Sequence, residues 1–175
     1  MNVLDKYKDM SVDEIRIDVQ RHTFPYSVLM QHIEGDFNIS TLIRNSNAFG
    51  VREVFYFGRK KWDRRGAVGT HNYTQLTHID SLDEVLNLKK NGRLIAVENN
   101  IEGAVELSTF NPQHGDIFVF GEECSGISEN LLKVCDTAVY IKQWGSVRSL
   151  NVGTASGILM CSVSSIFDNS NNIQN

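Results

Sequence analysis

Five short runs in this chain are mainly apolar: 27–33, 51–57, 93–97, 116–120 and 138–141. None of them alternates cleanly between apolar and polar residues, so neither face of the strand each would form can look toward water. Strands buried on both faces belong to a parallel sheet, and parallel neighbours need crossover connections that cover both faces. Helical segments do separate the runs. In 38–50, Leu42, Ile43, Ser46 and Phe49 share one face, with Asn38 near the start and Gly50 at the stop. In 80–89, Ser81 stands near the cap and Leu82, Val85, Leu86 and Leu88 are the apolar positions; 128–134 reads as a helix too short to stand without packing. A last helix runs through residue 167. The fold class expected is α/β, a mainly parallel sheet with helices on both faces.

At 175 residues and 41% hydrophobic, the chain has material for one core and too little for two. Residues 1–24 read as a short helical extension, opened by a capping box of Ser11 and Glu14, with Val12, Ile15 and Val19 along one face. Residues 25–167 are the body, 99–115 is irregular, and 168–175 is a polar tail expected to be flexible. The N-terminus has no apolar run suited to a signal peptide, and eighteen consecutive apolar residues occur nowhere, so the expected location is cytoplasmic, without a membrane. Cys124, Cys135 and Cys161 fit neither a disulfide framework nor a C-x2-C site, which leaves reduced thiols. The histidines at 22, 32, 71, 78 and 114 lack metal-ligand spacing, and no metal is expected.

Ligands of parallel α/β sheets collect beyond the carboxyl ends of the strands, which singles out the loops 35–38, 121–128 and 142–151. The net charge of −4 argues against indiscriminate binding of nucleic acid by the whole surface. Between residues 52 and 65, however, six basic residues stand against two acidic ones. Arg59, Lys60, Lys61, Arg64 and Arg65 form a patch able to grip a polyanion, and Trp62 and Tyr73 in or near it suit stacking on unpaired bases. A solvated loop after a strand explains the same residues.

Residues 121–126 follow a strand with the glycine spacing of a phosphate loop, but position 127 is isoleucine where that motif needs lysine, so a nucleotide hydrolase is disfavoured. In 139–157 an apolar strand runs into a turn holding Ser146, Arg148, Ser149 and Asn151, and then into a helix carrying Gly153, Ala155, Ser156 and Gly157. So many small residues imply that another backbone passes close by. A capped helix with a small-residue packing face accounts for this stretch as well as a ligand site does.

Taken jointly, Asn38 with Arg44 six residues on, the segment Gly121, Glu123, Gly126 and Ile127, and the run Arg148, Ser149, Leu150, Asn151 and Val152 resemble the three ordered motifs of the SpoU (TrmH-like) branch of the SPOUT RNA 2′-O-methyltransferases. The resemblance covers roughly residues 25–167. The pattern Ile141, Gln143 and Gly145 leading into the third motif is most similar to enzymes that methylate a tRNA guanosine ribose. The resemblance implies a C-terminal trefoil knot, S-adenosyl-L-methionine as cofactor, RNA as substrate with tRNA favoured over rRNA, and a homodimer. It implies cofactor contacts from Val97, Glu98, Gly121, Ile141 and Leu150, and a catalytic network of Arg44, Asn38, Glu123, Ser149 and Asn151. Arg44 corresponds to the family's essential arginine; because a guanidinium resists deprotonation, orienting the ribose and stabilising a developing alkoxide suit it better than acting as base. Glu122 and Lys142 depart from the commoner pattern, and Lys142 joins Arg148 and the basic segment as an expected RNA contact. The alternative is a catalytically inactive RNA-binding protein of the same fold.

Overall fold

The computed structural model describes residues 3–32, 36–122 and 125–172. Seven parallel strands form one sheet in the order β3-β2-β1-β6-β4-β7-β5. In chain order these are β1 Phe24–His32, β2 Val51–Gly58, β3 Leu76–Ile79, β4 Leu94–Val97, β5 Val105–Glu106, β6 Ile117–Phe120 and β7 Thr137–Tyr140. The helices are α1 Val12–Arg21, α2 Asp36–Ala48, α3 Leu82–Leu88, α4 Glu129–Leu132 and α5 Val152–Asn172.

The apolar runs become strands because successive residues feed opposite cores. Along β6, Phe118 and Phe120 join a cluster built with Ile39, Leu42 and Ile43 of α2 and Leu159, Met160 and Val163 of α5. Ile117 and Val119 join a second cluster with Val85 of α3 and Leu131 of α4. Helices therefore cover both faces, as the sequence pattern requires. Tyr26, fully buried, reaches through the first cluster to hydrogen-bond Ser164 of α5 at 2.9 Å, and Ser164 in turn donates to the Phe49 carbonyl at 2.7 Å.

Several boundaries differ from those expected. β1 begins at Phe24, before Pro25; the proline has no N–H to give, and the β1–β2 register slips between Phe24 and Ser27. α2 begins at Asp36, so Asn38 lies inside the first turn and the first of the three expected ligand loops is already helix there. The irregular stretch 99–115 contains β5, two residues that pair with Val139 and Tyr140 at the sheet edge. α5 continues through Asn172, past the polarity change at 168, with Ser165 and Ser170 bonding back to the carbonyls of Cys161 and Ile166. α1 packs onto the body: Ile15 is buried, and the Arg16 guanidinium donates to the Asn72 carbonyl at 2.9 and 3.0 Å. Among the described residues no helix is long and apolar enough to cross a membrane, and Cys135 and Cys161 are free thiols.

At the amino ends of the central strands, Asp116, 1% exposed, accepts two hydrogen bonds from Arg93, at 2.9 and 2.7 Å, and a third from the Gln113 N–H at 2.8 Å. Removing the carboxylate strands all three donors. Asp116→Ala is expected to lower unfolding stability by about 2–3 kcal/mol in a urea titration; a change below about 0.5 kcal/mol would show the pair to be dispensable.

Candidate functional site

The order of strands reverses around β1, which has β2 on one side and β6 on the other, and the carboxyl ends beside that point carry a cleft of about 310 Å³. Loops following β4, β6 and β7 build it. Val97, Phe120, Ile141, Leu150 and Val152 give it an apolar floor, while Glu98, Gln143, Arg148 and Ser149 bring polar groups to its wall. All five positions expected to contact a cofactor, Val97, Glu98, Gly121, Ile141 and Leu150, line this one cleft.

The 121–126 turn is closed by a pair of backbone hydrogen bonds between Glu122 and Gly126, at 3.1 and 2.9 Å. A Cβ on Gly121 would fall on the Gly126 backbone, and Gly126 itself has φ +64 and sits against the Glu98 carboxylate, where a Cβ would lie 2.7 Å from Oε2. The two glycines, read in sequence as a phosphate-loop spacing, are needed because chain meets chain here. Glu98 also accepts a hydrogen bond from the Asn99 N–H at 3.1 Å. Gln143 lines the cleft wall, and its Oε1 is buried with no hydrogen-bond partner among the described residues.

From the cleft the chain passes Leu150 into α5, and Asn151 caps that helix: its Oδ1 accepts from the Thr154 N–H at 3.1 Å. The same side chain donates through Nδ2 to Asn38 Oδ1 of α2 at 3.0 Å. Two turns further along α2, Asn45 donates to the Gly153 carbonyl at 2.9 Å and to Ser156 Oγ at 3.0 Å. Gly153 permits this approach, since a Cβ there would stand 2.7 Å from the Thr41 methyl. Asn38, Thr41 and Asn45 thus dock α2 on the start of α5. Arg44, between Thr41 and Asn45 in the helix, lies on the exposed flank of that junction, and no hydrogen bond or ion pair holds its guanidinium among the described residues.

The structure thus joins Asn38 to Asn151 and puts Ser149 in the cleft wall, with Arg44 at the margin of the same helix junction. Glu123 lies outside the described residues. Asn45 is not among the residues expected from the sequence: an asparagine inside a helix carries no signal that separates it from a surface position. Gln143 has one, its place in the pattern leading into the third motif.

The basic segment has a different character from the one expected. Arg59, Lys60, Lys61, Arg64 and Arg65 are all exposed. Arg65, however, is clamped on Asp63, with Nε at 3.0 and 2.8 Å from the two carboxylate oxygens, and the guanidinium holds the Asp63 carboxyl well below the usual range. The Ser40 hydroxyl of α2 donates to the Asp63 carbonyl, so the loop is anchored to the helix that carries Arg44. The aromatic residues do not offer stacking surfaces. Tyr73 is 4% exposed, and Trp62 is half-buried against the core with its ring edge-on to His71. Both aromatic rings gain more from the interior than a wet surface can give. Lys142 pairs with Glu106 of β5 at 3.3 Å, a partner supplied by the strand that the sequence pattern does not reveal.

The family model for the SpoU rRNA methylase family matches residues 25–161. The chain belongs to that family. Among SpoU relatives, the tRNA (guanosine(18)-2'-O)-methyltransferase of Escherichia coli K12 is 29% identical over 138 residues, 77% of this chain and 60% of that protein. The 23S rRNA (guanosine-2'-O-)-methyltransferase RlmB of Coxiella burnetii is 30% identical over 154 residues, 82% of this chain and 60% of its own. The chain spans about 60% of the length of these relatives. In structure it is similar to the A. aeolicus TrmH/SpoU tRNA modifying enzyme, with a TM-score of 0.80 and 20% identity over 91% of this chain and 84% of that one. AviRb of Streptomyces viridochromogenes, crystallised with the cofactor AdoMet, gives 0.72 and 21% over 83% of this chain and 58% of that one. At these identities the likeness is one of fold.

Because Asn151 both caps α5 and bridges to α2, Asn151→Ala is expected to lower stability by about 1–2 kcal/mol in chemical denaturation. An unchanged midpoint would mean that the bridge is not formed in solution.

Proposed function

We propose that the chain is an S-adenosylmethionine-dependent RNA methyltransferase that acts on a ribose 2′-hydroxyl, in the cytoplasm, with tRNA favoured over rRNA. The observation that carries this reading is the single connected arrangement of cleft, α5 cap and α2: five cofactor positions line one cleft, and Asn151, next in chain to one of them, is bonded to the helix bearing Arg44. Relatives named for tRNA guanosine 2'-O-methylation support the substrate preference, and one named for 23S rRNA keeps rRNA as the second choice.

The cleft fits the cofactor chemically. Val97, Ile141 and Leu150 offer apolar surface to an adenine, the Glu98 carboxylate can accept from its hydroxyl and amino groups, and the backbone pair closing Glu122 on Gly126 brings main chain within reach. When bound, S-adenosylmethionine supplies an electrophilic methyl group on a sulfonium. The residues around it have to hold a ribose oxygen in line with that methyl and steady the charge that grows on the oxygen. Arg44 suits the second of these roles, being cationic at all working pH, exposed, and free of partners among the described residues. Asn38 and Asn151 set its helix against the cleft, Ser149 presents a hydroxyl at the wall, and Glu123 is assigned to orienting the guanidinium. Arg148 and the exposed Arg59, Lys60, Lys61 and Arg64 supply phosphate contacts. Lys142 and Arg65 contribute less to phosphate binding than their charges suggest, because Glu106 and Asp63 already engage them.

A trefoil knot formed by the segment after β7, and a homodimer, complete the proposal. Residues 152–167 of α5 carry no charged side chain, Ile158 on that helix is 41% exposed, and Phe37 at the start of α2 is 70% exposed. An uncharged helix face with exposed apolar residues suits contact with a second copy better than contact with RNA.

Incubation with labelled S-adenosylmethionine and unmodified tRNA or rRNA tests the reaction. Arg44→Ala is expected to lose at least about 100-fold in turnover while tRNA affinity changes only a few-fold. No transfer by the wild type to either RNA, with cofactor binding intact, would favour an inactive RNA-binding protein. Sedimentation tests the assembly: Phe37→Asp is expected to halve the particle mass, and an unchanged mass would place the interface elsewhere.

A further inference from the structure

Trp144 is 85% exposed, more than any other large apolar side chain among the described residues. Its position is informative. From 141 to 144 the side chains alternate: Ile141 and Gln143 line the cofactor cleft, whereas Lys142 and Trp144 face outward. The indole therefore stands on the outer side of the cleft's own wall. Its neighbours are tied to one another. Lys142 Nζ lies 5.9 Å from the ring centroid and is itself paired with Glu106 Oε2 at 3.3 Å, while Asn99 Nδ2 donates to the Arg148 carbonyl at 3.2 Å. Beside it, between the 99–101 turn and the 140–148 loop, is a hollow of about 520 Å³ with Asn99, Asn100, Gln143, Val147 and Arg148 on its walls. Residues 144–149 are all exposed, so nothing among the described residues covers this surface.

We propose that Trp144 is a stacking platform for an unpaired RNA base next to the methylated nucleotide, with Arg148 taking an adjacent phosphate. This rests on the methyl-transfer reading given above. An exposed indole beside cationic groups is the combination that holds single-stranded nucleic acid, where each base offers a π-face and each linkage a negative charge. The amide groups of Asn99 and Asn100 at the hollow can meet base edges. A second copy of the chain is the other conceivable occupant. The charge pattern speaks against it: Lys142 is paired with Glu106, but the exposed Arg148 in the segment after Trp144 has no ion pair among the described residues, while the uncharged face is α5. On this proposal base stacking falls to a residue beside the cleft, rather than to Tyr73, which is buried, or Trp62, which is half-buried and edge-on to His71.

Only two tryptophans are present, so Trp62→Phe leaves Trp144 as the sole indole reporter. Its fluorescence is expected to be quenched, saturably, by an unmodified tRNA transcript and more weakly by a short single-stranded RNA. Trp144→Ala should raise the KM for tRNA roughly 5- to 100-fold, the range that stacking one base is worth, with kcat and S-adenosylmethionine affinity within about twofold. Trp144→Tyr should recover most of the loss, which a merely misfolded loop would not. Unchanged KM together with no quenching overturns the proposal. So does a fall in sedimented mass of Trp144→Ala with KM unchanged, which would give the indole to a second copy. If the wild type transfers no methyl group, the methyl-transfer reading fails; quenching by single-stranded RNA still tests the platform.

Discussion

Everything the site does depends on α2 being fastened to the first turns of α5. Three polar side chains accomplish it: Asn151 caps one helix and reaches the other through Asn38, and Asn45 closes the junction on Gly153 and Ser156. Each amide satisfies a group that helix ends or close packing would otherwise leave without a partner. The small residues at 153, 156 and 157 let the helices approach until such short side chains can bridge them. The same contacts fix where α2 presents Arg44 and where α5 begins relative to the cleft. A residue in an ordinary surface position thereby becomes part of the proposed site.

Charge is arranged locally rather than globally. The chain is acidic overall, and part of its basic surface is already committed: Arg65 to Asp63, Lys142 to Glu106, Arg93 to Asp116. The first two pairs are exposed or partly so and add little to stability. They fix side chains instead. Asp63 shapes the turn after β2, and Glu106 holds Lys142 next to Trp144. Of the cationic side chains with no hydrogen bond or ion pair among the described residues, Arg44, Arg59, Lys60, Arg64 and Arg148 lie on α2, the loop after β2 and the turn before α5, while Arg21 ends α1 and Arg52 stands in β2. Such a distribution binds a polyanion in one orientation better than a uniformly basic surface would.

The parts of this fold that are written in hydrophobicity are legible in the sequence, and those written in geometry are not. β1, β2, β4, β6 and β7 announce themselves because both faces are buried, and Ser11 and Ser81 cap α1 and α3 as their spacing implies. β5 is invisible there because two residues at a sheet edge have no periodicity to read. The cleft residues expected from the family motifs do line one space, since motif order reflects loop position. The fates of Trp62 and Tyr73 depend on which way a loop folds back, and that of Asn45 on what lies opposite it. No local pattern encodes either. Trp144, by contrast, stands in plain view beside the third motif but gains meaning only with its neighbours at 141 and 143 facing the cleft.

The central claim is that the cleft and Arg44 serve a ribose oxygen rather than a base. Alkaline hydrolysis of tRNA after incubation with the protein and methyl-labelled S-adenosylmethionine tests it most directly, because a 2′-O-methyl group blocks cleavage of the adjoining linkage. The account predicts that the label appears in an alkali-stable dinucleotide. Label recovered on a base, in mononucleotides, would contradict it.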